Sequence, residues 1–435
     1  MSARRENREI TRRDFVKGVT AGGVMFGASK FLGNTPESWA AEPIVIGVCT
    51  SFAILEGYEC LNAIEIAVEE INAKGGVNVA GVKRPLKIVK SDSRDSEPNI
   101  PISEALMAYE KMIITQKPHA IIPGFYSSEP TLSSMDITSK YKVPYFATIA
   151  MSPKFQEKIT QNYDAYKYHF RLCYNSVYFS KTYLGVLEMI KEEFGFNSAY
   201  ILNEEALWAK AIAGIAKQWL EGQGWKVTGS ETFPKGTSDF SAPLLKMKNS
   251  KTQVIVFICS RPETVILADQ WRAMKIPALL TGMLPPLCGE DIWKVHNGKV
   301  EGIIAVVEPG SIPVKAIPES GSFYQKYKKK IGKGPGASHG VGPAYDSVYI
   351  LKEAIEKAGS LDGDKLVQEI EKTDRKGVTG RIRFGKDHQV PYGNDPAVEA
   401  LGVDFQWQKP GERVIVYPKA IATGKIQLPP WMEKK

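Results

Sequence analysis

Pro43-Ile44-Val45-Ile46-Gly47-Val48 opens the stretch on which the fold turns. It is a short apolar run rich in β-branched residues, the composition of a strand buried on both faces. Beyond it Leu61, Ile64, Val68 and Ile71 recur every three or four residues, which marks one face of a helix ending at Gly75-Gly76. Strand followed by helix begins a βαβ unit. The alternation continues with a strand at 86–89, a helix at 102–114, a strand at 120–122, a helix at 132–140 and a strand at 145–147.

A second series follows the strand-like Tyr168-His169-Phe170-Arg171-Leu172. It reads as helices at 177–194, 208–220, 240–248 and 264–274, set between strands at 199–202, 227–232, 254–258, 278–280 and 302–307. Alternation at this spacing implies parallel sheets with right-handed crossovers, and two series imply two similar α/β domains. The rest of the chain, with helices at 323–331, 344–358 and 365–372 and strands at 381–384, 404–407 and 414–416, is shared between them. A length of 435 residues agrees with about two to three domains. Hydrophobic residues at 43% and charged residues at 24% exclude wholesale disorder and a multi-span membrane protein.

Residues 1–40 read as an export signal. A basic start leads into Thr11-Arg12-Arg13-Asp14-Phe15-Val16-Lys17 and a weakly apolar, glycine-rich stretch from Val19 to Leu32, interrupted by Lys30. The motif resembles a twin-arginine signal, and Ser38 and Ala40 around Trp39 suggest cleavage after Ala40. Removal takes away seven basic and four acidic residues, lowering the net charge from +8 to about +5. Lys328-Lys329-Lys330 is the one basic triplet, so the charge gives nucleic-acid binding little support. Cys49, Cys60, Cys173, Cys259 and Cys288 are widely spaced, with no C-x-x-C pair, and read as buried free thiols. No later apolar run is long enough to span a membrane.

The search for catalytic chemistry turns up no Walker loop, dinucleotide fingerprint, His-Glu-x-x-His, nucleophile elbow or Ser-x-x-Lys motif. The five histidines, His119, His169, His296, His339 and His388, are dispersed and read as structural or surface residues. The expectation is therefore binding rather than catalysis, without metal or cofactor.

In open α/β sheets, ligands lie outside the carboxyl ends of the strands, where loops feed helix N-termini. Pro123-Gly124-Phe125-Tyr126-Ser127-Ser128-Glu129-Pro130 is such a loop. Its serines could cap the next helix, whose free N–H groups would hold a carboxylate. Thr148-Ile149-Ala150-Met151-Ser152 and Cys49-Thr50-Ser51-Phe52 have the same strand-end placement.

Taken in order, these pieces resemble the type I extracellular solute-binding proteins of ABC transporters, the branch that includes the leucine/isoleucine/valine-binding proteins. The likeness is carried by Ile44-Val45-Ile46-Gly47, Glu70-Ile71-Asn72-Ala73-Lys74-Gly75-Gly76-Val77 and Lys87-Ile88-Val89-Lys90-Ser91-Asp92-Ser93. It extends through Gly124 to Ser128, Ala344-Tyr345-Asp346-Ser347-Val348-Tyr349, Val378-Thr379-Gly380-Arg381-Ile382-Arg383-Phe384, Val416-Tyr417-Pro418 and Pro429-Pro430-Trp431, and so covers 43–431.

The resemblance implies two Rossmann-like, doubly wound lobes joined by a three-crossing hinge, with 43–170 plus 308–380 in the first and 171–307 plus 381–435 in the second. It also implies a monomer in the periplasm, with the twin-arginine export machinery and membrane ABC permease subunits as partners. The first lobe would grip a carboxylate through Ser127, Ser128, Ala150 and Ser152, with Met151 beside them, while Trp208, Ser260 or Arg261 and Leu284 would come from the second. Tyr126, Phe52 and Tyr178 fall near the cleft.

Amino-acid binders of this class place an acidic residue after the strand at 278–280, where this chain has Thr281-Gly282-Met283-Leu284-Pro285-Pro286. A buried ammonium without a counter-charge costs several kcal/mol. Unless Glu290 or Asp291 reaches in, the expected ligand is a small organic acid with an apolar or aromatic tail rather than an α-amino acid; the alternatives are an amino-acid receptor or a sensor subunit.

Overall fold

The computed structural model describes residues 41–97 and 99–432. Residues 1–40, read above as an export signal, lie outside the described residues. The first sheet is formed by β1 (Ile44–Thr50), β2 (Leu86–Asp92), β3 (Ala120–Ile121), β4 (Tyr145–Ala147) and β5 (His169–Arg171) in the order β2-β1-β3-β4-β5, every pair parallel. Helices α1 (Leu55–Ala73), α2 (Ile102–Gln116) and α3 (Ser128–Tyr141) make its crossovers. The segment at 168–172 belongs to this sheet as its last strand.

The second sheet contains β6 (Ser198–Glu204), β7 (Lys226–Phe233), β8 (Val254–Ile258) and β9 (Leu279–Met283), ordered β9-β8-β6-β7 and again parallel. Around it run α4 (Ser176–Phe194), α5 (Leu207–Gly222), α6 (Ser241–Asn249) and α7 (Glu263–Ala273). All five residues of β8 are buried, as expected of a central strand covered by helices on both faces. Burying one such Val, Ile or Phe side chain is worth about 1.5–3 kcal/mol.

One expectation needs correction. The strand at 302–307 does not extend the parallel series: β10 (Ile304–Val307) pairs antiparallel with β11 (Val403–Gln408), which pairs antiparallel with β12 (Glu412–Tyr417). Its apolar run resembles that of its predecessors because it is also buried on both sides, and burial alone does not set strand direction. Helices α8 (Pro318–Ile331), α9 (Val341–Ala358) and α10 (Gly363–Ile370) return to the first sheet. There Val341, Ala344, Val348, Leu351 and Ile355 join the core around Leu61, Ile64, Val68 and Ile71 of α1. The short helices at 154–161 and 163–166, the hairpin at 77–84, and the strands at 374–377, 392–393 and 400–401 that join the expected strand at 381–384 in a small sheet had no clear signature in the sequence.

Strand order defines where a ligand can sit. From β1 the first sheet grows to one side through β2 and to the other through β3, so the loops leaving β1 and β3 diverge and open a crevice at their carboxyl ends. The second sheet does the same between β6 and β8. Among the described residues no helix is long and apolar enough to cross a membrane.

Candidate functional site

Four loops meet at these two crevices. After β3 the chain turns through Gly124, whose φ of +80° and position against the Tyr145 ring leave no room for a Cβ, which would lie 2.0 Å from the Tyr145 hydroxyl. That hydroxyl accepts the Phe125 N–H at 3.0 Å, and the loop delivers Tyr126, Ser127 and Ser128 to the start of α3. Ser127 occupies the N-cap position without capping the helix by its side chain. Its N–H donates to Asp95 Oδ2 at 2.6 Å and its hydroxyl to the Asp95 carbonyl at 3.0 Å. The first intrahelical bond is from Thr131 N to Ser127 O, so the N–H groups of the opening turn remain at the crevice.

Ser128 is buried, and its Oγ accepts the Ser152 N–H at 3.2 Å, tying the loop after β3 to the loop after β4. Arg171 secures that second loop by donating from Nη2 to the Ser152 carbonyl at 2.7 Å, while its guanidinium lies 4.6 Å over the Phe155 ring. Ala150, Met151 and Ser152 are all buried there.

From the second sheet come Trp208, in the first turn of α5, and Ser260, just beyond β8. Together with Tyr126, Ile149, Met151, Met283 and His339 they line a narrow interlobe gap. Its volume is about 20 Å³, room for a single water molecule, so a larger guest requires the walls to part. Tyr126 Oη and Ser260 Oγ lie 2.6 Å apart across it. Ser260 donates its one hydroxyl hydrogen to Glu204 Oε1 at 3.0 Å, so Tyr126 is the donor to Ser260. Near the gap, Leu207 N–H to Glu129 Oε1 at 3.4 Å and Lys235 Nζ to the Ser96 carbonyl at 3.1 Å also bridge the lobes.

Three carboxyl groups stand at this junction that the sequence reading left out. Glu204 ends β6, 2% exposed, and its Oε2 pairs with Arg261 Nε at 3.2 Å and accepts from the Cys259 thiol. Glu59 on α1 is saturated by the N–H groups of Gly336 and Ala337, at 2.7–2.9 Å. Glu56, in the first turn of α1, is 2% exposed and its Oε1 has no partner. Burial raises Glu56 to about 7, and the charges of Glu59 and Glu204 add to the shift. Position at the carboxyl ends of β1 and β6 is the signal that could have singled out Glu56 and Glu204.

Other expected residues lie elsewhere. Leu284 is enclosed in the core of the second sheet, and Met283, one residue earlier, faces the gap. Phe52 packs half-buried on the first core, its N–H donating to Asp92 Oδ1 at 3.3 Å. Tyr178 lies tilted beside Tyr392, ring centroids 6.2 Å apart, away from the gap lining. Glu290 accepts from Tyr324, Lys328 and Gly334, and Asp291 pairs with Lys333, so neither reaches in. His339 and Ile149, which line the gap, were not anticipated; His339 Nε2 lies 3.0 Å from the Ile149 carbonyl, and burial depresses its pKa to about 4. All five cysteines are buried and unpaired, and among the described residues no group of His, Cys, Asp and Glu could hold a metal ion.

A family model for periplasmic binding proteins matches residues 45–394. The chain belongs to the periplasmic binding protein family. Among curated relatives of this periplasmic binding protein, the Leu/Ile/Val-binding protein homolog 7 of Brucella suis is 25% identical, the match covering 86% of this chain and 90% of the relative. The leucine-, isoleucine-, valine-, threonine- and alanine-binding protein of Pseudomonas aeruginosa is 22% identical over 83% of this chain and 90% of its own. The fold matches that of Streptococcus pneumoniae LivJ in complex with isoleucine, with a TM-score of 0.69, 21% identity and coverage of 89% of this chain and 100% of that one. Thermotoga maritima LivK gives 0.69 at 22% identity, covering 87% and 99%. The architecture is thus the type I periplasmic binding protein fold, and the family consists of substrate-binding proteins.

Proposed function

We propose that this periplasmic binding protein captures a small carboxylate-bearing solute between its lobes and delivers it to an ABC importer. The observation that carries the reading is the pairing of Ser128 and Ser152 at the first turn of α3, next to Met151, which lines the gap together with Trp208. The N–H groups of that turn supply donors and a partial positive charge for an anion. Trp208, Met151, Met283 and Ile149 supply apolar surface for a tail. The first lobe would comprise 43–170 with 308–380 and the second 171–307 with 381–435, and their closure would present a changed surface to the permease. The protein would work as a monomer in the periplasm after twin-arginine export, and it would bind without turnover.

Among carboxylates, the apolar lining favours a branched or aromatic tail. The carboxyl of Glu56 favours a second reading, an amino acid, since it can supply the counter-charge that the segment after β9 lacks. Calorimetry of the mature protein against benzoate-like acids, branched-chain carboxylates and leucine tests both. Saturable binding to any of them supports the receptor, and a response to leucine alone selects the amino-acid reading. Chemical conversion of the guest would end the receptor proposal.

A further inference from the structure

We propose that Glu56 is the specificity-determining acceptor of the cleft and that it reads a protonated nitrogen on the carboxylate solute. The inference rests on the receptor reading above and deepens it.

Position comes first. Glu56 stands in the first turn of α1, directly beyond β1, and β1 and β3 flank the point where the first sheet reverses its strand order. Tyr126, on the loop from β3, lines the interlobe gap, and the Glu56 charge acts on its hydroxyl as well as on Cys288 of the opposite lobe. Saturation of its neighbours comes second. Glu204 is neutralised by Arg261 and takes hydrogen bonds from Ser260 and Cys259, and Glu59 takes three contacts from backbone N–H groups. Glu56 Oε1 is the carboxyl oxygen at the crevice left without a donor, on a side chain 98% enclosed. Such an acceptor is costly to leave unmade in a packed interior. A ligand N–H would satisfy it, and a cationic one would also hold the group as carboxylate against burial and two neighbouring acids.

The test uses the mature chain and its Glu56→Gln variant, titrated calorimetrically with pairs of amino acids and their des-amino acids, leucine with 4-methylpentanoate first and the other aliphatic and aromatic pairs after it. The wild type should prefer the amine-bearing member of a pair. Glu56→Gln should lose about 10- to 100-fold for that member, the loss of one charged hydrogen bond, and far less for the des-amino acid, so that the preference within the pair disappears. Equal affinity within a pair, or a preference that survives in the variant, overturns the proposal while leaving the receptor intact. If no pair binds, native mass spectrometry of the exported protein decides: a carried guest without basic nitrogen overturns the role of Glu56 alone. Neither guest nor binding removes the receptor reading and this inference together.

Discussion

Tyr126 donates to Ser260 across the interlobe gap at 2.6 Å, and Ser260 in turn donates to the buried Glu204. The chain of hydroxyls joins the end of one parallel sheet to the end of the other, so it exists only when the lobes are closed. Tyr126→Phe removes the donor and keeps the ring. The closed state should lose about 0.5–1.5 kcal/mol, a net hydrogen bond, and affinity for the carried guest should fall by several-fold because part of the binding energy must then replace that closing contact. Titration of the variant beside the wild type reads this directly; identical affinities would place the bridge outside the closure equilibrium.

Trp208 meets the gap from the first turn of α5, half-buried beside Met151 and Met283. Trp208→Ala should weaken ligand binding by about 1–3 kcal/mol through lost stacking and apolar area. Thermal unfolding without ligand should shift far less, and an unchanged affinity would remove Trp208 from the site.

The loop carrying Tyr126 and Ser128 turns on Gly124, held at φ +80° against Tyr145. Gly124→Ala places a methyl group on the Tyr145 hydroxyl and forces an alanine into the left-handed region. A loss of roughly 1–3 kcal/mol is expected from strained backbone alone, measurable as a lower urea midpoint at constant slope.

Burial of Glu56 raises its pKa from 4.5 to about 7. The folded protein therefore binds more protons than the unfolded chain between those values, and the contribution of Glu56 to stability is full below about pH 4.5 and lost as pH rises to 7. Glu56→Gln has no proton to lose. Melting temperatures of wild type and variant should converge near pH 4.5 and separate in favour of the variant near pH 8. A difference between the two that does not change with pH would mean that Glu56 is ionised at its usual pKa. Stability gained with binding lost is the expected mark of a residue kept for function.

Much of the fold was legible along the chain. The apolar runs at Ile44, Val254 and Leu279, separated by helices of period 3.6, placed nearly every strand of the two parallel sheets, because a strand covered on both faces has to be largely apolar. Strand direction at Ile304–Val307 was not legible, because a buried antiparallel strand has the same composition and its partners lie about a hundred residues away. Ser128 and Ser152 lie where the rule that loops beyond strand ends gather ligands expects candidates, and Trp208 and Ser260, expected from the family resemblance, line the gap. What failed was the electrostatic reading. Local spacing cannot show that Arg261 consumes the charge of Glu204, or that Gly336 and Ala337 saturate Glu59 from 277 and 278 residues along the chain.

Period and composition alone determined which segments are strand and which are helix, and hence a doubly wound α/β protein, since hydrophobic burial acts on each element through its own repeat. Only the tertiary structure decided which side chains look into the crevice and which carboxyl there is unanswered. Hydrogen bonding and Coulomb interaction in a desolvated gap depend on distances of a few ångströms between residues that lie far apart along the chain.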